Sequence, residues 1–391
     1  MSAAAISTQK VVLGDVIDIR DGTHDTPAYV ESGIPLITSK NLSDAGLTFE
    51  SASFISEADH AQISKRSGVQ KGDILYGMIG TIGKPTLVEV DRAFSIKNIA
   101  LFKQAIGVVD SKYLRWLLDS PDVNAQIARV SKGGTQKFVA LGALRDLTVH
   151  LPPLEEQRRI AAILDQAETL RTQRRQALAQ LDPLTQSLFL DMFGDPVLNP
   201  KSLPVVKFGD VGNLDRGISK HRPRNAPELL GGDHPLVQTG EVSNCDGYIR
   251  SYTHTYSDIG LRQSKMWPAG TLCITIAANI AKTGILTFDA CFPDSVVGFR
   301  ADDPATVEYV RVWLSFLQKA LEDSAPESAQ KNINLAILRG LNIPLPPLAL
   351  QQTFATRIQA IEALKATHRT ALAQLDALFA SLQQRAFAGE L

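Results

Sequence analysis

Residues 151–193 read LPPLEEQRRIAAILDQAETLRTQRRQALAQLDPLTQSLFLDMF, and residues 345–387 read LPPLALQQTFATRIQAIEALKATHRTALAQLDALFASLQQRAF. The two stretches align without a gap at an offset of 194 residues, and about 19 of the 43 aligned positions are identical. The run Ala-Leu-Ala-Gln-Leu-Asp stands at 177–182 and again at 371–376. Self-similarity at a fixed period indicates a duplicated structural unit, and two such periods account for nearly all of the 391 residues.

The repeat continues upstream of the two helical segments, although there the copies agree only in outline. The segments that align are 14–16 with 209–211, 33–42 with 233–242, 71–94 with 269–292, and 144–145 with 338–339. The offset varies between 194 and 200, so the loops differ in length. This is the pattern expected of two copies of one fold that bind different ligands.

Each repeated segment has the apolar spacing of a helix that packs against another helix. Apolar or small residues recur at steps of three and four, which is the seam of a coiled coil. A lone helix of this kind would expose its seam to water, so we expect the two helices of the chain to pack together. The residues predicted to pair the helices are Ile160, Ile163, Ala167, Leu170 and Leu181 in the first copy, and Phe354, Ile361, Leu364, Leu375 and Leu378 in the second.

The start of each helix and one break within it are also encoded. Each segment begins with Leu-Pro-Pro-Leu, where prolines end a preceding strand and suit the first helical turn. In the first copy Asp182-Pro183 has the residue types of a helix N-cap followed by a first helical position, which predicts a break. The second copy has Ala377 at that place, so its helix is expected to continue.

The fold class predicted is α+β, with two similar mixed domains that are each followed by a long helix. Strand-like runs at 73–79, 86–90 and 271–276 are interrupted by Gly and Pro, and helical stretches lie at 111–130 and 306–322. The predicted order is a domain at 1–150, a helical region at 151–198, a second domain at 199–344 and a second helical region at 345–391.

Composition excludes several classes of protein. The chain has 40 basic and 41 acidic residues, so no overall positive field indicates a nucleic-acid partner. The three cysteines are too far apart in sequence for a disulfide framework or a zinc site. The first residues lack the pattern of a signal peptide and no apolar run is long enough to cross a bilayer, so we expect a cytoplasmic protein without a membrane partner.

No catalytic motif stands out, and we predict no catalytic residue, no metal site and no cofactor bound by this chain. The nearest approach to a phosphate-binding loop is residues 77–84, GMIGTIGK. Five residues separate its outer glycines where four are required, and Pro85 replaces the hydroxyl residue that would bind magnesium.

The chain resembles the specificity (S) subunits of type I restriction-modification systems. The resemblance rests on the helix starts Val149–Gln157 and Ile343–Gln351 and on the two Gly-Asp-Val segments, which are followed by Gly22-Thr23 and by Gly217-Ile218-Ser219. One departure is that Glu155-Glu156 of the first helix start becomes Ala349-Leu350 in the second.

The resemblance implies both a function and a set of partners. Each globular domain would be a target recognition domain that reads one half of a bipartite site in double-stranded DNA. The helices would form an antiparallel coiled coil that sets the spacing and docks two methyltransferase (M) subunits. S-adenosylmethionine would be bound by the M subunits, ATP and Mg by the restriction (R) subunits, and the S subunit itself would be non-catalytic.

The best candidate for a DNA contact is a basic loop in the second domain. No acidic residue lies between Arg216 and Arg224, and prolines mark a turn. Such a loop suits phosphates or a guanine, although a solvated basic turn explains it as well. The candidates here are Arg216, Lys220, His221, Arg222 and Arg224, with Thr23 and His24 at the corresponding place in the first domain.

Further candidates follow predicted strand ends or Gly-rich turns, where loops meet ligands. Asn and Gln can read adenine and Lys can contact guanine or phosphate, but each of these residues taken singly is also consistent with an ordinary surface position. They are Lys40, Asn41, Lys84, Lys132, Gln136, Lys137, Lys282, Gln330, Lys331 and Asn332.

Two other functions remain open at this point. The chain is also compatible with a coiled-coil scaffold that presents two domains to a ligand other than DNA, or with an enzyme whose site has no familiar motif. Sequence-dependent DNA binding in the presence of M would exclude the scaffold. Methyl transfer that appears only after M is added would exclude the enzyme.

Overall fold

The computed structural model describes residues 8–43, 46–131, 137–277, 280–324 and 333–391. The chain forms two compact units, of which unit 1 comprises Met1–Arg175 with Thr370–Leu391 and unit 2 comprises Gln176–Arg369. The sequence predicts four consecutive segments, two domains and two helical regions. In the structure each long helical region is instead divided between the two units.

Among its described residues, unit 1 has a four-stranded sheet, a three-stranded sheet, two two-stranded sheets and several helices. Its strands are β1 Gln9–Val12, β2 Ile19–Asp21, β3 Ile34–Ile37, β4 Leu42–Ser43, β5 Gly46–Leu47, β6 Ser53–Ile55, β7 Ile74–Gly77, β8 Gly83–Leu87, β9 Ser95–Ile96, β10 Ile99–Phe102 and β11 Thr148–Leu151. Its helices before the long helical region are α1 Leu13–Val16, α2 Glu57–Ser67, α3 Ser111–Leu118, α4 Pro121–Val130 and α5 Leu141–Arg145.

The long helical regions have three helices, which are α6 Leu154–Leu181, α7 Leu184–Phe193 and α12 Leu348–Ala388. The break predicted at Asp182-Pro183 is therefore confirmed, as is the uninterrupted helix through Ala377. The helical stretch predicted at 111–130 is helical but is split before Pro121, where the Ser120 hydroxyl caps α4.

Unit 2 has the same kinds of element. Its strands are β12 Val205–Lys207, β13 Asn213–Arg216, β14 Leu230–Leu236, β15 Tyr248–Ile249, β16 His254–Tyr256, β17 Met266–Trp267, β18 Leu272–Thr275, β19 Thr283–Leu286, β20 Ala290–Cys291, β21 Val296–Arg300 and β22 Asn342–Pro344. Its helices outside the long helical regions are α8 Thr239–Asn244, α9 Asp258–Arg262, α10 Pro304–Ser324 and α11 Leu335–Gly340.

The two units share their strand order. In unit 1 the main sheet runs β2-β10-β7-β8, and in unit 2 it runs β13-β21-β18-β19 with β15 added at the edge. The second sheet runs β6-β3-β9 in unit 1 and β16-β14-β20-β17 in unit 2, and the equivalent pairs β3-β9 and β14-β20 are both parallel. A two-stranded ladder, β1-β11 or β12-β22, completes each unit. The duplication seen in the sequence is thus a duplication of topology, and the α+β class is confirmed.

Contacts in the two units explain which residues recur. Arg145 donates through Nη2 to the carbonyl of Ile19 at 2.6 Å, and Arg339 donates to the carbonyl of Leu214 at 2.6 Å. Gly14 lies against Arg145, where a Cβ would come within 2.9 Å of the arginine Cβ. The repeated Gly and Arg therefore close the same corner of each domain.

The repeated glutamine of each helix start has a similar role. Gln157 Nε2 donates to the carbonyl of Pro152 at 2.9 Å, and Gln351 Nε2 donates to the carbonyl of Pro346 at 2.7 Å. Both glutamine side chains are buried, and both satisfy a proline carbonyl just before the helix begins. The Leu-Pro-Pro-Leu-x-x-Gln motif is therefore a device for starting a long helix.

Helix segments in each unit run antiparallel. In unit 1, Arg171 of α6 pairs with Asp376 of α12, and Arg159 of α6 donates through Nη2 to the carbonyl of Leu391, just after α12, at 2.6 Å. In unit 2, the ring centroids of Phe189 in α7 and Phe354 in α12 are 5.8 Å apart, and Lys365 Nζ lies 3.0 Å from Asp182 Oδ1. In both units, residue numbers rise along one segment as they fall along the other.

Part of the predicted pairing seam is wrong. Ile160, Ala167, Leu181 and Phe354 are buried, but Leu170, Leu364 and Leu378 are 42%, 47% and 50% exposed. The helices pack on the domain cores as well as on each other, so the buried stripe follows Leu164, Ile358 and Phe379 instead. Periodicity alone does not distinguish these two faces. Ile163, Ile361 and Leu375 are half-buried.

Candidate nucleic-acid interface

The basic loop of unit 2 begins at the end of β13, and three of its arginines contact Asp294. Arg216 Nε donates to the backbone carbonyl of Asp294 at 2.5 Å. Arg222 Nη2 lies 3.4 Å from Asp294 Oδ2, and Arg224 Nη2 pairs with Asp294 Oδ1. The loop therefore has an acidic partner, which comes from the segment just before β21.

This partner changes the expected electrostatics. The sequence suggested an uncompensated cluster, whereas two of its guanidinium groups share Asp294. Arg222 and Arg224 nevertheless remain 54% and 45% exposed. Ion pairs this exposed contribute about 0–1 kcal/mol, so a DNA phosphate can compete with Asp294 for either arginine.

The backbone of the loop is fixed by Gln263. Its Oε1 accepts from the backbone N–H of Lys220 at 2.7 Å and from that of His221 at 3.0 Å. Arg222 Nη1 donates to the carbonyl of Ser219 at 2.6 Å. The side chains of Lys220 and His221 are exposed on this ordered backbone, and His221 Nε2 lies 3.7 Å from Glu228. A pre-ordered loop loses less entropy when it binds.

The corresponding corner of unit 1 has different chemistry. His24 Nε2 lies 2.8 Å from Asp21 Oδ2, and His24 Nδ1 lies 3.1 Å from Asn98 Oδ1. Arg66 also pairs with Asp21. Thr23 donates through its hydroxyl to the carbonyl of Asp25. His24 is therefore exposed but held in one orientation by groups on both sides.

Asn41 is not a candidate for DNA contact. It is 3% exposed, and its Oδ1 accepts from the backbone N–H of Thr38 at 3.0 Å. Its amide also donates to the carbonyl of Glu50 at 3.3 Å. The prediction is wrong because an asparagine that follows a strand end suits a cap as well as a base contact. The neighbouring Lys40 is exposed.

Three of the remaining lysines lie in turns or next to them. Lys84 is half-buried, has a left-handed backbone with φ 55°, and is the second residue of β8. Lys282 is half-buried in the turn between β18 and β19. Lys137 is exposed, and its carbonyl accepts from Gly80 N at 3.1 Å. The other candidates lie outside the described residues; they are Lys132, Gln136, Gln330, Lys331 and Asn332.

The sequence did not single out Asp294 or Gln263, which organise the basic loop. Both are distant from it along the chain, and no local pattern pairs them with residues 216–224. The alignment of residues 33–42 with 233–242 is a sequence signal close to the basic loop. It includes the end of β14 and Gln238, which follows that strand by two residues.

The described ranges offer little to thiol chemistry or to metal binding. Burial raises the pKa of all three thiols, Cys245, Cys273 and Cys291, which disfavours the reactive thiolate. Among the residues that the structure describes, no group of three His, Cys, Asp or Glu side chains is placed to hold a metal ion. No helix in those ranges is long and apolar enough to cross a membrane.

Comparison with known proteins places both repeats in one family. The family described as "Type I restriction modification DNA specificity domain" matches residues 7–180 and again residues 200–377. A putative type I restriction enzyme MjaX specificity subunit from Methanocaldococcus jannaschii is 23% identical over 90% of this chain and 86% of its own. The EcoBI specificity subunit of Escherichia coli is 29% identical over 48% of this chain and 39% of its own.

Solved structures share the fold. The S subunit of a type I restriction-modification system from M. genitalium has a TM-score of 0.61 at 14% identity and covers 99% of this chain and 98% of its own. A chain from a structure on complex assembly and conformational transition of the type I R-M system has a TM-score of 0.60 at 18% identity, with full coverage of both chains.

Proposed function

This chain belongs to the type I restriction-modification DNA specificity family, and on that premise we propose that each of its two domains reads one half of a bipartite DNA target. The observation that carries the proposal is the strand order repeated in the two units, with different polar groups at the same corner. A common frame with different exposed groups suits two half-sites of different sequence.

The corner in question lies where the first strand of the main sheet ends. In unit 1, β2 ends at Asp21, which holds His24. In unit 2, β13 ends at Arg216, which precedes the loop that Asp294 holds. Since the strands are equivalent and the side chains are not, the two corners present different hydrogen-bonding groups to a duplex.

We further propose that the long helices dock two copies of the M subunit. Four of the exposed leucines of the helical regions are equivalent at the 194-residue offset, since Leu170 corresponds to Leu364 and Leu184 to Leu378. Leu170 and Leu378 belong to unit 1, and Leu184 and Leu364 belong to unit 2. In unit 2, an apolar groove of about 470 Å³ between α7 and α12 includes Leu184. Two similar apolar surfaces suit two copies of one partner.

On this proposal the chain selects DNA and its partners act on it. S-adenosylmethionine would be bound by the M subunits, and ATP with Mg by the R subunits. The chain would act in the cytoplasm, where those partners meet DNA. The family match supports neither the scaffold for a non-DNA ligand nor the enzyme with an unfamiliar site.

The test is methylation by the reconstituted complex. The chain is purified with its M subunit, incubated with S-adenosylmethionine and genomic DNA, and the methylated positions are read by sequencing. We expect one motif with two specific parts and a spacer of fixed length. Methylation without a motif, or an equal pattern from M alone, would contradict the proposal.

A further inference from the structure

We propose that the second recognition domain reads base edges with Asn225, Gln238 and His254, while Arg222 and Arg224 contact phosphates. This inference rests on the proposed function and names the groups that provide specificity in unit 2. None of the three neutral residues belongs to the basic loop that the charge pattern indicates.

The three side chains line one recess of about 210 Å³ in unit 2. Apolar walls come from Leu230, Leu236, Tyr256 and Pro293. The polar part of the lining consists of Arg224, Asn225, Gln238, Thr239, His254 and Ser295. Arg224 therefore belongs both to the recess and to the cluster held by Asp294, and it connects the two features.

The sheet register brings the neutral groups together. Leu236, the last residue of β14, pairs with His254, the first residue of β16. Gln238 follows Leu236 by two residues, and Asn225 follows Arg224 in the loop that leads to β14. Three separate segments thus converge, and the exposed positions of Gln238 and His254 follow from the ends of two paired strands.

The chemistry of these groups suits base edges. A Gln or Asn amide can bind adenine through N6 and N7, and a His ring can donate to or accept from a base. Within the described part of the chain, the side chains of Asn225 and His254 have no hydrogen-bond partner, so both are available to a ligand. Contacts to phosphates position a protein on DNA, whereas neutral groups at base edges provide specificity.

Comparison of the two units supports the same assignment. Leu36 of β3 pairs with Ser53 on one side, and Leu236 of β14 pairs with His254 in the same way. Two residues beyond each leucine stand Thr38 and Gln238. The leucines are buried in both units, while the residues two positions beyond them differ in type and exposure, since Thr38 is half-buried and Gln238 is exposed. This combination is expected where one frame reads two sequences.

The test uses the reconstituted complex with M and single-base sequencing of methylated sites. Asn225→Ala, Gln238→Ala and His254→Ala are compared with wild type on libraries randomised in each half-site. We expect each variant to lose roughly tenfold or more of its discrimination at one base position of the second half-site. The first half-site should be unchanged, which also verifies that the complex has assembled.

The matched control is Asn244→Ala, since Asn244 is an exposed amide of the same domain outside the recess. It should keep wild-type preference. Where an alanine variant fails to assemble, Gln238→Glu retains the size of the side chain but loses its donors, and it should shift the preference at the same position towards cytosine.

Wild-type preference at every position in all assembled variants, including Gln238→Glu, would overturn the inference. That result would leave the proposed function intact, because the wild-type complex would still methylate a bipartite motif. Failure of the wild-type complex to recognise such a motif would overturn both.

Discussion

Arg171 of α6 donates through Nε to Asp376 of α12 at 2.7 Å. The equivalent positions in the other copy, each offset by 194 residues, are Lys365 and Asp182, and Lys365 of α12 lies 3.0 Å from Asp182, just after α6. Each of the two long segments thus supplies the cation to one cluster and the carboxylate to the other. Both ion pairs can form only when the two helical segments run antiparallel in this register. The repeated charges therefore favour one relative direction of the helices as well as their contact.

A double-mutant cycle is expected to detect the coupling between Arg171 and Asp376. The Arg171 side chain is 18% exposed, so its ion pair is screened less than a surface pair. We expect Arg171→Ala and Asp376→Ala to be coupled by about 0.5–2 kcal/mol in the free energy of unfolding. The exposed pair Arg158 and Glu155 is the control and should give less than about 0.5 kcal/mol. Equal coupling in both pairs would contradict the account.

Loss of the lysine in the second cluster is expected to destabilise unit 2. The Lys365 side chain is 3% exposed and lies within 3.7 Å of Asp182, Asp246 and Glu362. Because Arg369 also pairs with Asp246, part of the negative charge remains compensated in Lys365→Ala. We expect a loss of about 2–4 kcal/mol, somewhat below the full cost of breaking a buried pair.

Thermal unfolding of the full chain measures this effect as a lower midpoint. The control is Arg357→Ala on the same helix, because Arg357 is exposed and its removal should change stability by less than about 0.5 kcal/mol. If Lys365→Ala unfolds at the same temperature as the Arg357 variant, the buried cluster does not stabilise unit 2.

Asn41→Ala is expected to destabilise unit 1 rather than to alter specificity directly. The buried amide accepts from Thr38 and donates to Glu50, so its removal leaves these backbone groups without partners. The expected cost is about 1–3 kcal/mol, measured by thermal unfolding. Lys40→Ala, at an exposed neighbouring position, should be neutral. An Asn41 variant of wild-type stability but altered base preference would reverse this assignment.

Arg222→Ala combined with Arg224→Ala is expected to weaken DNA binding by the complex with M evenly across sequences. If both guanidinium groups contact phosphates, the slope of log affinity against log salt should fall by about 2. The control is Arg300→Ala, an exposed arginine at the end of β21. A loss confined to one base position would instead indicate a guanine contact. No change in affinity, slope or preference would indicate a solvated turn.

The sequence predicted the duplicated frame well because the frame depends on residues that both copies need. Arg145 and Arg339 close the same corner, and Asp182-Pro183 breaks one helix, so each leaves a recognisable local pattern. The helix faces were predicted less well. Leu164 and Leu170 are equally apolar, and only the domain core decides which of them is buried.

The candidate site could be predicted only as a set of loops. A cluster such as Arg222 and Arg224 is visible in the sequence, but Asp294 lies about 70 residues away and is brought there by β21. Asn41 shows the opposite difficulty, since its residue type suits both a cap and a base contact. Long-range pairing, which local patterns do not encode, determines which polar side chains face solvent.

Domain exchange tests the central claim, that each unit reads its own half-site, most directly. Residues 10–150 are replaced by the first domain of another family member with a known target, and the complex with M methylates genomic DNA that is then sequenced. We predict that the first half of the motif changes to that of the donor while the second half is retained. A change in both halves, or in neither, would contradict the claim.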